Sequence, residues 1–100
     1  MNKLYSYLGL CQKAGKLKSG NFQVEDAVKD GSAVLVLFSS EASENSKKGF
    51  VDMCKFYGVK YQEIGSIDEI SKAIGKECRV VLAVTDENMA ALVESQLNSL

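Results

Sequence analysis

Ala33-Val34-Leu35-Val36-Leu37-Phe38 is an unbroken run of six apolar, β-favouring residues. A strand with one wet face alternates polar and apolar residues, because successive side chains point to opposite sides of the sheet. A run without alternation is therefore read as a central strand covered on both faces. Where such strands alternate with helices, the helices supply both covers and the protein is a layered α/β one.

Helical patterns do lie on either side of it. Downstream, Ser43, Ser46 and Lys47 open a helix, and Phe50, Val51, Met53, Cys54 and Tyr57 continue at helical spacing until Gly58. Ser43 or Asn45 is the expected cap. Val59-Lys60-Tyr61-Gln62-Glu63-Ile64 alternates and predicts a strand with one covered face. Ser66-Ile67-Asp68-Glu69 has the form of a capping box, followed by Ile67, Ile70, Ala73 and Ile74 on one helical face. Gly75-Lys76-Glu77 is a turn, and Arg79-Val80-Val81-Leu82-Ala83-Val84 a second buried strand. Thr85-Asp86 begins a last helix, with Met89, Leu92, Val93 and Leu97 at core spacing.

Upstream, Val24, Ala27 and Val28 form a narrow apolar stripe that Gly31 ends, with Ser19 or Asn21 as the expected cap. Lys16-Leu17-Lys18 alternates and suits a short edge strand, where lysines discourage strand-to-strand association. From Lys3 to Gln12, apolar residues at 4, 7, 8 and 11 share one helical face, and Gly15 stops it. The resulting order, α-β-α-β-α-β-α-β-α, predicts a three-layer α/β/α sandwich with a four-stranded mixed sheet.

One hundred residues suit one domain, expected to span 1–100, and 46% apolar with 25% charged residues is an ordinary globular balance. No run of eighteen apolar residues occurs, and polar residues interrupt the start at Ser6, Gln12 and Lys13, so no membrane span or signal peptide is expected. Three widely spaced cysteines, Cys11, Cys54 and Cys78, are read as small hydrophobes in a reducing, cytoplasmic setting. The chain has no histidine, which removes Ser-His-Asp and Cys-His catalysis. No phosphate-binding glycine motif completes. No enzyme activity, metal or cofactor is expected.

The net charge of −1 hides an uneven distribution. Residues 1–24 carry Lys3, Lys13, Lys16 and Lys18 and no acid, while residues 25–100 carry eight bases and thirteen acids. Three segments qualify as binding loops. Lys13 to Gln23 brings lysines to a helix start, where free backbone N–H groups attract anions. Gly20 permits close approach, and the amides of Asn21 and Gln23 can pair with base edges. Its plainer reading is a solvated helix end. Ser39 to Lys48 reads either as a hydroxyl-rich site or as simple capping. Gly75 to Arg79 either presents Lys76 and Arg79 to phosphate or is an ordinary turn. Cys11 lies near the basic stretch, but its place on the first helix's apolar face favours packing over reactivity.

Leu8-Gly9-Leu10-Cys11-Gln12-Lys13-Ala14-Gly15-Lys16-Leu17, Ser19-Gly20, Leu35-Val36-Leu37, Ala42-Ser43-Glu44-Asn45-Ser46-Lys47-Lys48, Ala73-Ile74-Gly75-Lys76-Glu77 and Arg79-Val80-Val81 together resemble the kink-turn-binding ribosomal protein family, the L-seven-Ae class, in its short bacterial YlxQ-type branch. The resemblance spans about residues 4–93. It implies an α/β/α sandwich and binding of structured RNA, a kink-turn or ribosomal RNA, with the ribosome or other translation proteins as further partners. It also implies contacts from Gly20 through Gln23 and from Gly75 through Arg79. Lys16 and Lys18 would position phosphates and Gly20 would admit the backbone. Asn21 and Gln23 would read sheared purine pairs, Phe22 would stack or pack, and Lys76 and Arg79 would close the second side. The family's helix start commonly carries Asn-Glu and then a lysine one turn later. Here the pair falls on Phe22 and Gln23 and the lysine on Asp26, so this chain departs from the pattern. The alternative is a protein-interaction module of the same fold that has lost tight kink-turn binding.

Overall fold

The computed structural model describes residues 3–98. The elements are α1 (Leu4–Lys13), β1 (Leu17–Ser19), α2 (Asn21–Lys29), β2 (Leu35–Ser39), α3 (Glu44–Tyr57), β3 (Lys60–Ile64), α4 (Ile67–Ile74), β4 (Val81–Val84) and α5 (Glu87–Leu97). The strands form one mixed sheet in the order β1-β4-β2-β3. β2 runs parallel to β3 and antiparallel to β4, and β4 runs antiparallel to β1.

The fold-deciding run behaves as its composition dictates. Every residue of β2 is buried. Leu35 and Leu37 join the core under α1, α4 and α5, while Val36 and Phe38 join the core under α2 and α3. β4 repeats the pattern, sending Leu82 and Val84 to the first core and Val81 and Ala83 to the second. Three layers follow, as the alternation predicts.

Local signals set several boundaries. The Ser66 side chain accepts from Glu69 N–H while Glu69 answers to Ser66 N–H, completing the capping box of α4. Ser43 caps α3 through Ser46 N–H, and Asp86 caps α5 through Met89 N–H. In α1, Gly9 is required by packing: a Cβ there would lie 2.9 Å from the carbonyl oxygen of Ala73 in α4.

Four expectations need correction. Neither Ser19 nor Asn21 caps α2. The cap position is Gly20, which has no side chain, because Ser19 is buried at the end of β1 and Asn21 already lies inside the helix. β3 has no covered apolar face: only Ile64 is buried. As an edge strand it meets its neighbours through ion pairs, Lys60 to Glu94 on α5 and Glu63 to Lys47 on α3, each at 3.5 Å. Leu92 is 48% exposed. Ala90 and Val93 turn α5 toward the sheet, with Met89 and Leu97 beside them, and Leu92 falls off that stripe. Of the three cysteines, Cys78 is exposed rather than packed, because it sits in the turn before β4 with φ +48°.

Candidate nucleic-acid interface

The antiparallel ladder of β1 and β4 builds the site. Leu17 pairs with Val84, Lys18 with Ala83 and Ser19 with Leu82. Gly20 N–H then donates to Val81 O at 3.0 Å. The chain entering α2 therefore runs beside the chain entering β4, and two segments more than fifty residues apart become neighbours.

At this junction Gly20 adopts φ +92°, ψ 153°, a conformation that side chains with a Cβ avoid. A Cβ at Gly20 would also lie 3.3 Å from Nη1 of Arg79. Glycine thus lets the guanidinium lie against the start of α2. Val24 N–H makes a helical bond to Gly20 O at 3.0 Å. Asn21, Phe22 and Gln23 precede it in the first turn, and no side chain caps their N–H groups. A helix start carries partial positive charge, and Arg79 adds a full one. Two positive features meet here, and each gains from an anion between them. Arg79 is anchored through its backbone, whose N–H donates to Oγ of buried Ser71 at 2.8 Å. Its Nε is buried and has no hydrogen-bond partner among the described residues.

The other expected residues distribute unevenly. Asn21 and Gln23 are exposed in the same turn. Phe22 is 77% exposed, so its ring is free to stack rather than packed in the core. Lys18 flanks the junction on the edge strand. Lys16 lies at the opposite end of β1, about 13 Å from Gly20 at strand rise, where its carbonyl receives Thr85 N–H. Lys76 is exposed on the turn after α4, with its N–H bonded to Ser71 O at 3.0 Å. In the serine-rich segment Ser43 caps α3, while Lys47 is not a solvated lysine but is directed to Glu63 and Glu44. Cys11 is buried, and burial followed by the charge of Asp86 pushes its thiol pKa up, the reverse of activation.

Each flank of α2 borders a concavity. Toward the sheet edge, Gln23, Asp26, Ala27 and Asp30 share with Lys18 and Ser32 the lining of a cleft of about 310 Å3. Toward α3, a larger groove of about 640 Å3 runs from Asn21 past Glu25 and Lys29, with Phe50, Met53, Phe56 and Tyr57 among its lining residues. Phe56 is 81% exposed and meets Tyr57 edge to face at 4.9 Å. Three further participants line these features without standing among the expected residues: Ser71, Ser32 and Phe56. Ser71 and Ser32 carry no local signal of a site. Phe56 was legible, since it is a large apolar residue off the buried stripe of its helix.

Comparison with known proteins gives the chain a family and relatives. Residues 2–94 match the ribosomal protein L7Ae/L30e/S12e/Gadd45 family. The chain is similar to the RNA-binding protein YlxQ of Bacillus subtilis (strain 168), 38% identical over 94 residues that cover 94% of each protein. It is also similar to the RNA-binding protein YlxQ of Enterococcus faecium, 34% identical over 88 residues, covering 88% of this chain and 84% of that one. Among solved structures, a protein with unknown function from Bacillus halodurans C superposes with a TM-score of 0.92 at 34% identity, covering 98% of this chain and 99% of the other. The Giardia lamblia 15.5kD RNA binding protein shares the fold, with a TM-score of 0.79 at 19% identity over 97% of this chain and 83% of that one.

Proposed function

From the premise that this chain belongs to the ribosomal protein L7Ae/L30e/S12e/Gadd45 family, we propose that it binds structured RNA, a kink-turn or a related fold, and catalyses nothing. The observation that carries this reading is the junction of Gly20 with Arg79. There an uncapped helix start and a guanidinium with an unpartnered buried Nε converge on one point. Both features favour phosphate, one through backbone N–H groups and the other through a planar fork of donors. Phe22 supplies an exposed ring for an unstacked base, and Asn21 and Gln23 supply amides for base edges. The two relatives' names, RNA-binding protein YlxQ, support the same reading.

The test is a gel shift with a kink-turn RNA at several salt concentrations. The control RNA has its tandem G·A pairs replaced by Watson–Crick pairs. The expected result is tight binding that is lost in the control and weakened in Gln23→Ala and Arg79→Ala. With about three phosphate contacts, log K should fall against log salt with a slope near −2 to −3. Equal, weak, salt-insensitive binding to both RNAs would overturn the proposal.

One observation favours a second reading, a protein-interaction module. The groove between α2 and α3 is aromatic, and Glu25 and Asp52 line it, which suits an apolar protein segment better than a phosphate backbone. A pull-down partner that survives RNase treatment and is lost in Phe56→Ser would support it.

A further inference from the structure

The cleft on the sheet-edge flank of α2 has a chemistry of its own. Gln23, Asp26, Ala27 and Asp30 are spaced three, four and seven residues from the first, so they form one stripe of the helix. Lys18 of β1 and Ser32 of the following turn complete the lining. At about 310 Å3 it falls at the small end of ligand sites, roughly 300–1,000 Å3. It adjoins the candidate RNA interface through Gln23, which belongs to both.

The polar groups in it are not equivalent. Asp30 is engaged: its Oδ1 accepts Ser32 N–H at 2.8 Å, and hydrogen bonds from Ser32 hold its carboxyl below the usual range. The Asp26 side chain, by contrast, makes no hydrogen bond or salt bridge among the described residues, while its carbonyl accepts Asp30 N–H at 2.9 Å in the helix. An ionised carboxylate can only accept, an ammonium can only donate, and a glutamine amide does both. The cleft therefore offers a pair of acceptor oxygens beside donors on Lys18 and Gln23.

Unpaired bases in RNA are commonly recognised on their Watson–Crick edges. Guanine presents two donors there, N1–H and the N2 amino group, next to the acceptor O6. Cytosine and adenine each present a single amino donor, and uracil a single N–H between two carbonyls. We propose that this cleft takes an unpaired guanine of the bound RNA, with the Asp26 carboxylate accepting from N1–H and the N2 amino group and Lys18 or Gln23 donating to O6. The proposal rests on the RNA-binding reading above and adds a base specificity to it.

The sign of one substitution decides the matter. A carboxylate that merely sits near phosphates repels them, and removing its charge strengthens binding to every RNA. A carboxylate that receives two guanine donors loses them on becoming an amide. The experiment measures binding of the full chain to kink-turn RNAs carrying each of the four nucleotides, and inosine, in turn at every bulge position. Wild type and Asp26→Asn are compared, with circular dichroism to confirm that the exposed substitution leaves the fold intact. The expected result is one position at which guanine exceeds the other three bases by about tenfold or more. Inosine, which lacks the N2 amino group, should fall between, and Asp26→Asn should weaken binding of the guanine RNA selectively, bringing it to the level of the other three. Tighter binding of Asp26→Asn to all RNAs, wild-type indifference to the base, or a preference for another base would overturn the proposal while leaving RNA binding intact. Failure of the wild type to bind any of the RNAs would remove the parent reading and this one together.

Discussion

Gly20 is the residue on which backbone geometry and binding chemistry coincide. Its φ of +92° strains any residue with a Cβ, and that Cβ would press on Arg79 Nη1. Gly20→Ala should lower stability by about 1–3 kcal/mol in urea unfolding, and should weaken kink-turn RNA binding by displacing the guanidinium. If affinity is unchanged in a folded Gly20→Ala protein, the Arg79 placement is irrelevant to binding. The cysteines give a second residue-scale prediction. Burial pushes the Cys54 thiol up to about 11 from its ordinary value near 9. The folded state thus holds this proton more tightly than the unfolded state. The associated stability is complete below about pH 9 and is lost as pH rises toward about 11. Urea midpoints should fall across that window, and fall less steeply in Cys54→Ala. A thiol-alkylating reagent at neutral pH should label exposed Cys78 and spare buried Cys11 and Cys54 until the protein unfolds.

Among the elements, α1 and α4 illustrate how a helical glycine can be chosen by its neighbour. Gly9 lowers the helix propensity of α1, yet a methyl group there would meet the Ala73 carbonyl at 2.9 Å, and a backbone atom cannot swing aside. Gly9→Ala should therefore destabilise by about 1–3 kcal/mol in spite of alanine's better propensity. A stabilised Gly9→Ala protein, measured by urea unfolding, would show that the two helices can separate at no cost. β3 shows the opposite case, an element whose pattern misleads. Its alternation of Val59, Tyr61 and Glu63 with Lys60, Gln62 and Ile64 looks half-buried, but the strand lies at the sheet edge, and ion pairs to α3 and α5 stand where packing was expected. The position of a strand in a sheet is a long-range fact, and periodicity is a local one.

Over the whole molecule, charge sets what kind of nucleic-acid binder this chain can be. Four lysines precede residue 25 without an acid, and thirteen acids follow against eight bases. A protein so balanced lacks a general attraction for phosphate. Binding to a fully paired duplex at physiological salt should therefore be no tighter than the usual non-specific range of about 10−4–10−6 M. Submicromolar binding to such a duplex, measured by fluorescence anisotropy, would contradict a shape-selective site.

The succession of nine elements and the three layers were legible in the residues, because hydrophobic period and capping chemistry act over one or two turns of chain. Val34 through Phe38 announced a strand covered on both sides, and Ser66 with Glu69 announced a helix start. The junction of Gly20 with Arg79 was not legible from the residues alone. It depends on β1 pairing with β4 in one register, which is fixed by how both cores close over the sheet. The same closure left Phe22 in solvent, gave the cap of α2 to a residue with no side chain, and brought Asp26 and Lys18 into the lining of one cleft. The sequence by itself determined which segments become helices and strands, because those preferences are local. Only the tertiary structure decided which side chains share a surface, because that depends on contacts between residues far apart in the chain.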